Sequence, residues 1–273
     1  MTDSVSPGEP GFEPLEAAAA SRLARAQVAV GEYLRRYHRH EIDGHLDDPG
    51  EQVLFVANHG FGGIFDLNVA ALVSANHLIN VQRPTTILIH QMTWTIGLGR
   101  FVEAYGVRPA SRQAAEEGFA RGHHVLVLPG GDLDAFKAHR DKDKIVFGGR
   151  SGFARLALDA GVPIVPIVTA GAGDSLLVLS DGQKLAKALK LDRLLRLKAL
   201  PVSLSFPWGL NVGLVGLLPY IPLPSKLRPR VLPAMRPEPE ETAESFAARV
   251  EAAMQDALDE LTRARRCPDR SRS

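Results

Sequence analysis

Two residues seven positions apart, His59 and Asp66, lie in the segment Asn58-His-Gly-Phe-Gly-Gly-Ile-Phe-Asp66, and together they could perform general-base chemistry. An imidazole titrating near neutrality can take a proton from an attacking hydroxyl. A carboxylate on its other ring nitrogen fixes the tautomer and stabilises the imidazolium that forms. Along a continuous helix this spacing would bring both side chains to one face but about 10 Å apart, so pairing requires the chain between them to curl. Gly60, Gly62 and Gly63 permit that curl, and their backbone N–H groups could face a phosphate or an oxyanion. On spacing alone, a lone His–Asp pair after a strand is more often structural than catalytic.

The elements that must hold this segment can be read from apolar patterning. Val53-Leu-Phe-Val-Ala57 immediately precedes Asn58 and has the length and β-branched content of a buried strand. Ligand sites in open α/β sheets gather at the carboxyl ends of such strands. Further strands are predicted at Thr85–His90, His124–Leu128 and Val162–Val168, the last with two proline interruptions. Helices are predicted at Leu15–His38, at Arg112–Arg121 behind a Ser111 cap, and at Gly152–Ala160 before Gly161. A last amphipathic helix begins near Thr242 with the stripe Phe246, Val250, Met254, Leu258 and Leu261. The alternation predicts an α/β fold: a mixed, mostly parallel sheet flanked by helices, with amphipathic helices at both ends. One domain is expected over 15–264, between a disordered N-terminus (1–14) and a disordered basic tail (265–273).

Composition narrows the function classes. In 273 residues, 32 Lys and Arg stand against 31 Asp and Glu, so the field of a nucleic-acid binder is lacking and any anion site must be local. The single cysteine, Cys267, excludes an intrachain disulfide, a cysteine metal cluster and a core thiol nucleophile, and fits a reducing cytoplasm. His38, His40, His45, His123 and His124 lack acidic or cysteine partners at ligand spacing, so no metal is expected. Asp132, Asp134, Lys137 and Lys142 to Lys144 read as a solvated loop whose cations could also meet phosphates. Met1–Pro14 has neither the basic nor the apolar region of an export signal. Leu200–Leu223 carries Phe206, Trp208 and Tyr220 and is followed by Lys226, Arg228 and Arg230. Its five prolines, from Pro201 to Pro224 when the next residue is counted, make it a poor membrane span, and it reads as a membrane-docking segment (200–230) or a buried loop. Neither a Gly-x-Ser-x-Gly elbow nor a nucleotide-binding glycine loop is present.

Four blocks in order, within 44–168, resemble the lysophospholipid and glycerolipid acyltransferase superfamily, including its diacylglycerol-acyltransferase-like branch. They are Asn58-His59 through Asp66, Gly106-Val-Arg-Pro-Ala-Ser-Arg112, Leu128-Pro-Gly-Gly131 and Val162-Pro-Ile-Val-Pro166; Arg150-Ser-Gly-Phe-Ala-Arg155 is similar to the same branch. The resemblance implies an O-acyltransferase without a cofactor, with His59 as base and Asp66 as its partner. It implies that Asn58, Gly62, Gly63, Pro129, Gly130 and Gly131 contact substrate and that Arg112 binds the acceptor's phosphate or polar head. The donor would be an acyl thioester of coenzyme A or of acyl-carrier protein, the acceptor a glycerolipid or lysophospholipid, and the location the inner, cytoplasmic face of a membrane. Two departures stand out: the His-to-Asp spacer is two residues longer than the common one, and Gly130 replaces the glutamate of the commoner third block, which points away from a lysophosphatidate acceptor. Two other readings remain, a thioesterase or lipase using water and a catalytically silent lipid-binding module.

Overall fold

The computed structural model describes residues 17–43, 49–60, 67, 83–91, 94, 97, 99, 103, 106–190, 200–213 and 220–266. The chain begins with α1 (Ala17–Tyr37), then β1 (Leu54–Ala57), β2 (Thr85–Ile89) and β3 (Val107–Pro109). Next come α2 (Arg112–Ala120), β4 (His124–Val127), α3 (Gly131–Ala135), α4 (Gly152–Ala160) and β5 (Ile164–Ala170). It closes with β6 (Leu177–Ser180), α5 (Gln183–Ala188), β7 (Val202–Ser205), β8 (Gly209–Val212), β9 (Arg228–Val231) and α6 (Ala243–Arg266).

Among the described residues the main sheet has six strands in the order β3-β2-β4-β1-β5-β9. All are parallel except β9, which runs antiparallel to β5. This is the mixed, mostly parallel sheet expected from the sequence. β1 lies between β4 and β5, with Val56 in register with Val127 and Pro166, and all four of its residues are buried. β5 is unbroken, contrary to the expected interruptions. The Pro166 carbonyl accepts from the Leu232 N–H just past the end of β9, and pairing resumes at the Ile164–Met235 bridge, so the donor that proline lacks removes one bond without breaking the strand.

Side chains alternate across the sheet as a two-residue period requires. Leu54, Val56, Val125, Ile164 and Val168 meet Phe153, Leu156 and Ala157 of α4 and the α6 stripe Phe246, Val250, Met254, Leu258 and Leu261. Val53, Phe55, Ala57, Ile87, Leu126, Val165 and Ile167 form the opposite layer. Each fully buried side chain of this kind stabilises by about 1.5–3 kcal/mol. Local signals agree: Ser111 Oγ accepts from the Ala114 N–H at 3.1 Å, and Gly161 ends α4 with φ +67°. α6 runs through Arg266, and Arg265 is ion-paired with Asp174 at 2.5 Å. Of the expected tails over 1–14 and 265–273, residues 1–14 and 267–273 lie outside the described residues, and Arg265 and Arg266 are helical.

Two peripheral features matter later. Near the end of α1, Leu34 and His38 are buried, while Val28 and Val30 are exposed. His38 shares hydrogen bonds with Ser225 Oγ at 2.9 Å and Tyr33 Oη at 3.2 Å, and burial lowers its pKa from 6.5 to about 4. The second feature is an antiparallel sheet, β6-β7-β8, whose polarity is inverted. Ser203 and Ser205 point inward, whereas Leu204, Phe206, Leu210 and Val212 are exposed, the first two with Leu210 at 47%, 66% and 65%.

Candidate active site

At the carboxyl end of β1 the Asn58 side chain grips the neighbouring strand. Its Oδ1 accepts from the Thr169 N–H at 2.9 Å and its Nδ2 donates to the Thr169 carbonyl at 3.2 Å. Asn58 is 3% exposed, so this two-way bond locks β1 to β5 beyond the regular ladder. The structure thus gives Asn58 a part in holding the strand ends together.

The next residue, His59, is half-buried, and its backbone is clamped from beneath. Its N–H donates to Asp134 Oδ2 at 2.7 Å. Lys137 Nζ donates to Asp134 Oδ1 at 2.7 Å, to the His59 carbonyl at 3.3 Å and to the Lys144 carbonyl at 2.7 Å. The Val146 N–H completes the set on Asp134 Oδ1 at 3.1 Å. All three ammonium protons are therefore used, and Asp134 receives three donors. Asp134 and Lys137 have side-chain exposures of 0% and 5%, which corrects the expectation of a solvated loop. A buried pair persists only when both charges are fully hydrogen-bonded, as here. The sequence did carry a signal: Leu133, Ala135, Phe136 and Ala138 interleave the two charges with apolar residues, unlike a solvated run.

The Leu128-Pro-Gly-Gly131 block makes the turn that delivers Asp134. A Cβ on Gly130 would overlap the Asp134 side chain and come within 2.7 Å of the Val146 carbonyl, so a larger residue is excluded while Asp134 is buried there. Gly131 has φ +51°, and Arg150 Nη1 lies 2.8 Å from where its Cβ would be. Arg150 donates to the Pro129 carbonyl at 2.9 Å and to the Gly130 carbonyl. The arginine opening the Arg150–Arg155 segment is thus a brace for the third block.

Arg112 is exposed at the start of α2 and pairs with Glu116 at 2.7 Å and Asp159 of α4 at 3.0 Å, contacts that raise its pKa. No described contact joins it to His59. Asp66, Gly62 and Gly63 lie outside the described residues. Among those described, no group of three or more His, Cys, Asp or Glu residues is arranged to hold a metal ion, and no helix is long and apolar enough to cross a membrane.

Residues 22–222 match the model of the family described as diacylglycerol acyltransferase, and the chain belongs to that family. The solved structure of the 1-acyl-sn-glycerophosphate (LPA) acyltransferase PlsC from Thermotoga maritima shares the fold, with a TM-score of 0.55 over 92% of this chain and 84% of that one at 13% identity. A Gallus gallus protein named DGAT1/2-independent enzyme synthesizing storage lipids is 27% identical over 222 residues, 81% of this chain and 59% of its own length. An uncharacterised protein of Mycobacterium tuberculosis is 29% identical over 232 residues, 84% of this chain and 59% of its own. The chain therefore spans about six-tenths of the length of these relatives.

Proposed function

We propose that this protein transfers a fatty acyl group from an acyl thioester to a hydroxyl of a neutral glycerolipid. The observation that carries the reading is the Asp134–Lys137 clamp, which fixes the His59 backbone on both sides at the carboxyl end of β1. A general base must be held where a substrate hydroxyl can reach it, and rigid supporting contacts serve that purpose. A ring nitrogen of His59 takes the proton of the acceptor hydroxyl, with Asp66 on the other nitrogen. The hydroxyl oxygen attacks the thioester carbonyl, backbone donors of the glycine-rich loops hold the tetrahedral oxygen, the carbon–sulfur bond breaks, and the imidazolium returns the proton to the leaving thiolate. No acyl-enzyme forms. The room denied to a glutamate at Gly130 supports a neutral acceptor over lysophosphatidate.

The inverted sheet supports work at a lipid surface. Antiparallel sheets with one face in water present polar residues outward, and a contiguous exposed apolar patch marks an interaction surface. Here Leu204, Phe206, Trp208, Leu210, Val212, Ile221 and Leu223 are exposed. We assign this face to membrane docking from the inner side.

The test is incubation of wild type and His59→Ala with radiolabelled acyl-coenzyme A, or acyl-carrier protein, and a panel of monoacylglycerol, diacylglycerol, lysophosphatidate and lysophospholipid. A labelled ester formed by wild type and reduced at least about 100-fold in the folded variant is expected. Labelled fatty acid alone would replace the transferase with a hydrolase, and lipid binding without turnover would replace it with a binding module.

A further inference from the structure

A pocket of about 410 Å³ opens among the end of α1, the loop after Lys137, the turn after β5, the stretch Pro224–Lys226 and the last turns of α6. Its wall carries five cations, Arg39, Lys142, Lys226, Arg265 and Arg266, against two carboxylates, an excess of three positive charges in a protein whose net formal charge is +1. Asp174 is shared by Lys142 and Arg265, each at 2.5 Å, and Asp143 takes Arg266 at 3.2 Å. Lys226 stands 3.8 Å from Glu41, which Arg228 holds more closely at 3.0 Å, and Arg39 makes no ion pair among the described residues.

A second observation is independent of charge. Thr262 lines this pocket and is 7% exposed, yet among the described residues its Oγ1 has no hydrogen-bond partner, and the Nε of Arg265 one turn later has none either. Leaving a buried polar group unsatisfied is unfavourable; both atoms lie beneath the pocket surface, and a shift of either side chain would bring an unused donor to an acceptor held there. Gly171, with φ +95°, lets Arg265 lie against the end of β5, since a Cβ there would come within 2.8 Å of the guanidinium carbon.

The position of the pocket gives the ligand its class. One border is the loop whose Lys137 holds the His59 carbonyl and whose Lys142 pairs with Asp174. Another border continues from the exposed Ile221 and Leu223 of the apolar surface, anchored where the Leu223 N–H donates to the Ser175 carbonyl at 2.7 Å. We propose that this pocket binds a phosphate group, supplied by the nucleotide end of the acyl donor or by the headgroup of an anionic phospholipid. The accessible N–H groups of Arg39, Lys226 and Arg266 donate to its oxygens and offset its charge, and the Thr262 hydroxyl joins them once its side chain turns outward. The volume suits a small polar group with part of its attached molecule. The choice of these two sources rests on the acyl-transfer reading; phosphate binding itself does not.

The test is direct binding, read without turnover. Wild type, the triple variant Arg39→Gln/Lys226→Gln/Arg266→Gln and Thr262→Val are titrated calorimetrically with coenzyme A and with 3′-dephospho-coenzyme A. They are also sedimented with phosphatidylcholine vesicles with and without phosphatidylglycerol, after thermal unfolding has established that each is folded. Coenzyme A binding about tenfold or more weaker in the triple variant, and weaker in Thr262→Val, assigns the pocket to the donor. An unchanged coenzyme A affinity with loss of the phosphatidylglycerol-dependent sedimentation assigns it to the headgroup. No change in either ligand overturns the proposal, and if the triple variant fails to fold, Thr262→Val and Arg266→Gln decide on the same criteria. Binding that persists where acyl transfer is absent would sink the proposed function and leave the pocket standing.

Discussion

At the scale of single residues, the buried Asp134–Lys137 pair holds the candidate base, His59, through its backbone N–H and carbonyl. His59 announced itself by chemical type and by its place after an apolar run. Asp134 and Lys137 looked solvated because charge in a local string says nothing about a strand 75 positions away whose N–H needs an acceptor. Removing either partner leaves the other charge buried, so Asp134→Asn or Lys137→Met should each destabilise by about 3–5 kcal/mol in urea unfolding. The double variant should lose at least about 1 kcal/mol less than the sum. Additive losses would show that the two charges do not act as a unit. Gly130→Ala is expected to destabilise by about 1–3 kcal/mol, because the methyl overlaps Asp134. Gly130→Glu, which restores the residue common elsewhere in the superfamily, should lower ester formation in the radiolabel assay; a gain would refute the steric account.

Elements were easier to read than their contacts, because periodicity and caps are local. The α6 stripe, the Ser111 cap and the Gly161 stop all occur where the sequence placed them. Pro166 misled because a proline's effect depends on which neighbour its missing donor would have faced, and that neighbour, β9, comes more than sixty residues later in the chain. The attachment of α1 was not legible either, since it depends on His38 meeting Ser225. His38 has its pKa lowered by burial from 6.5 to about 4, so the unfolded chain takes up a proton in acid while the folded protein resists it. The stabilisation from the neutral ring is complete above pH 6.5 and is lost as pH falls towards 4. We expect wild type to lose about 1–3 kcal/mol across that window relative to His38→Gln, measured as the difference between their urea midpoints at each pH. Parallel pH profiles would remove His38 from the account.

On the scale of the whole molecule, the sequence foretold the layered sheet but left Leu200–Leu223 open between a docking segment and a buried loop. Alternation alone could not say which face of β7 and β8 met the body; the three-dimensional arrangement puts serines inside and leucines out. Replacing Phe206 and Leu210 with serine should leave thermal stability within about 0.5 kcal/mol, since both are exposed, while reducing cosedimentation with phosphatidylcholine and phosphatidylglycerol vesicles severalfold. Unaltered cosedimentation would remove the face from the docking surface. The central position of β1 has a consequence for the timing of synthesis. Asn58 must wait for Thr169, 111 positions downstream, before the lock between β1 and β5 can close. At a ribosomal rate of about 5–20 residues per second that interval is on the order of 5–20 s. Throughout it, Leu54-Phe55-Val56-Ala57 is an apolar strand without its final neighbour, so the segment that carries the candidate base is open to wrong partners while synthesis continues.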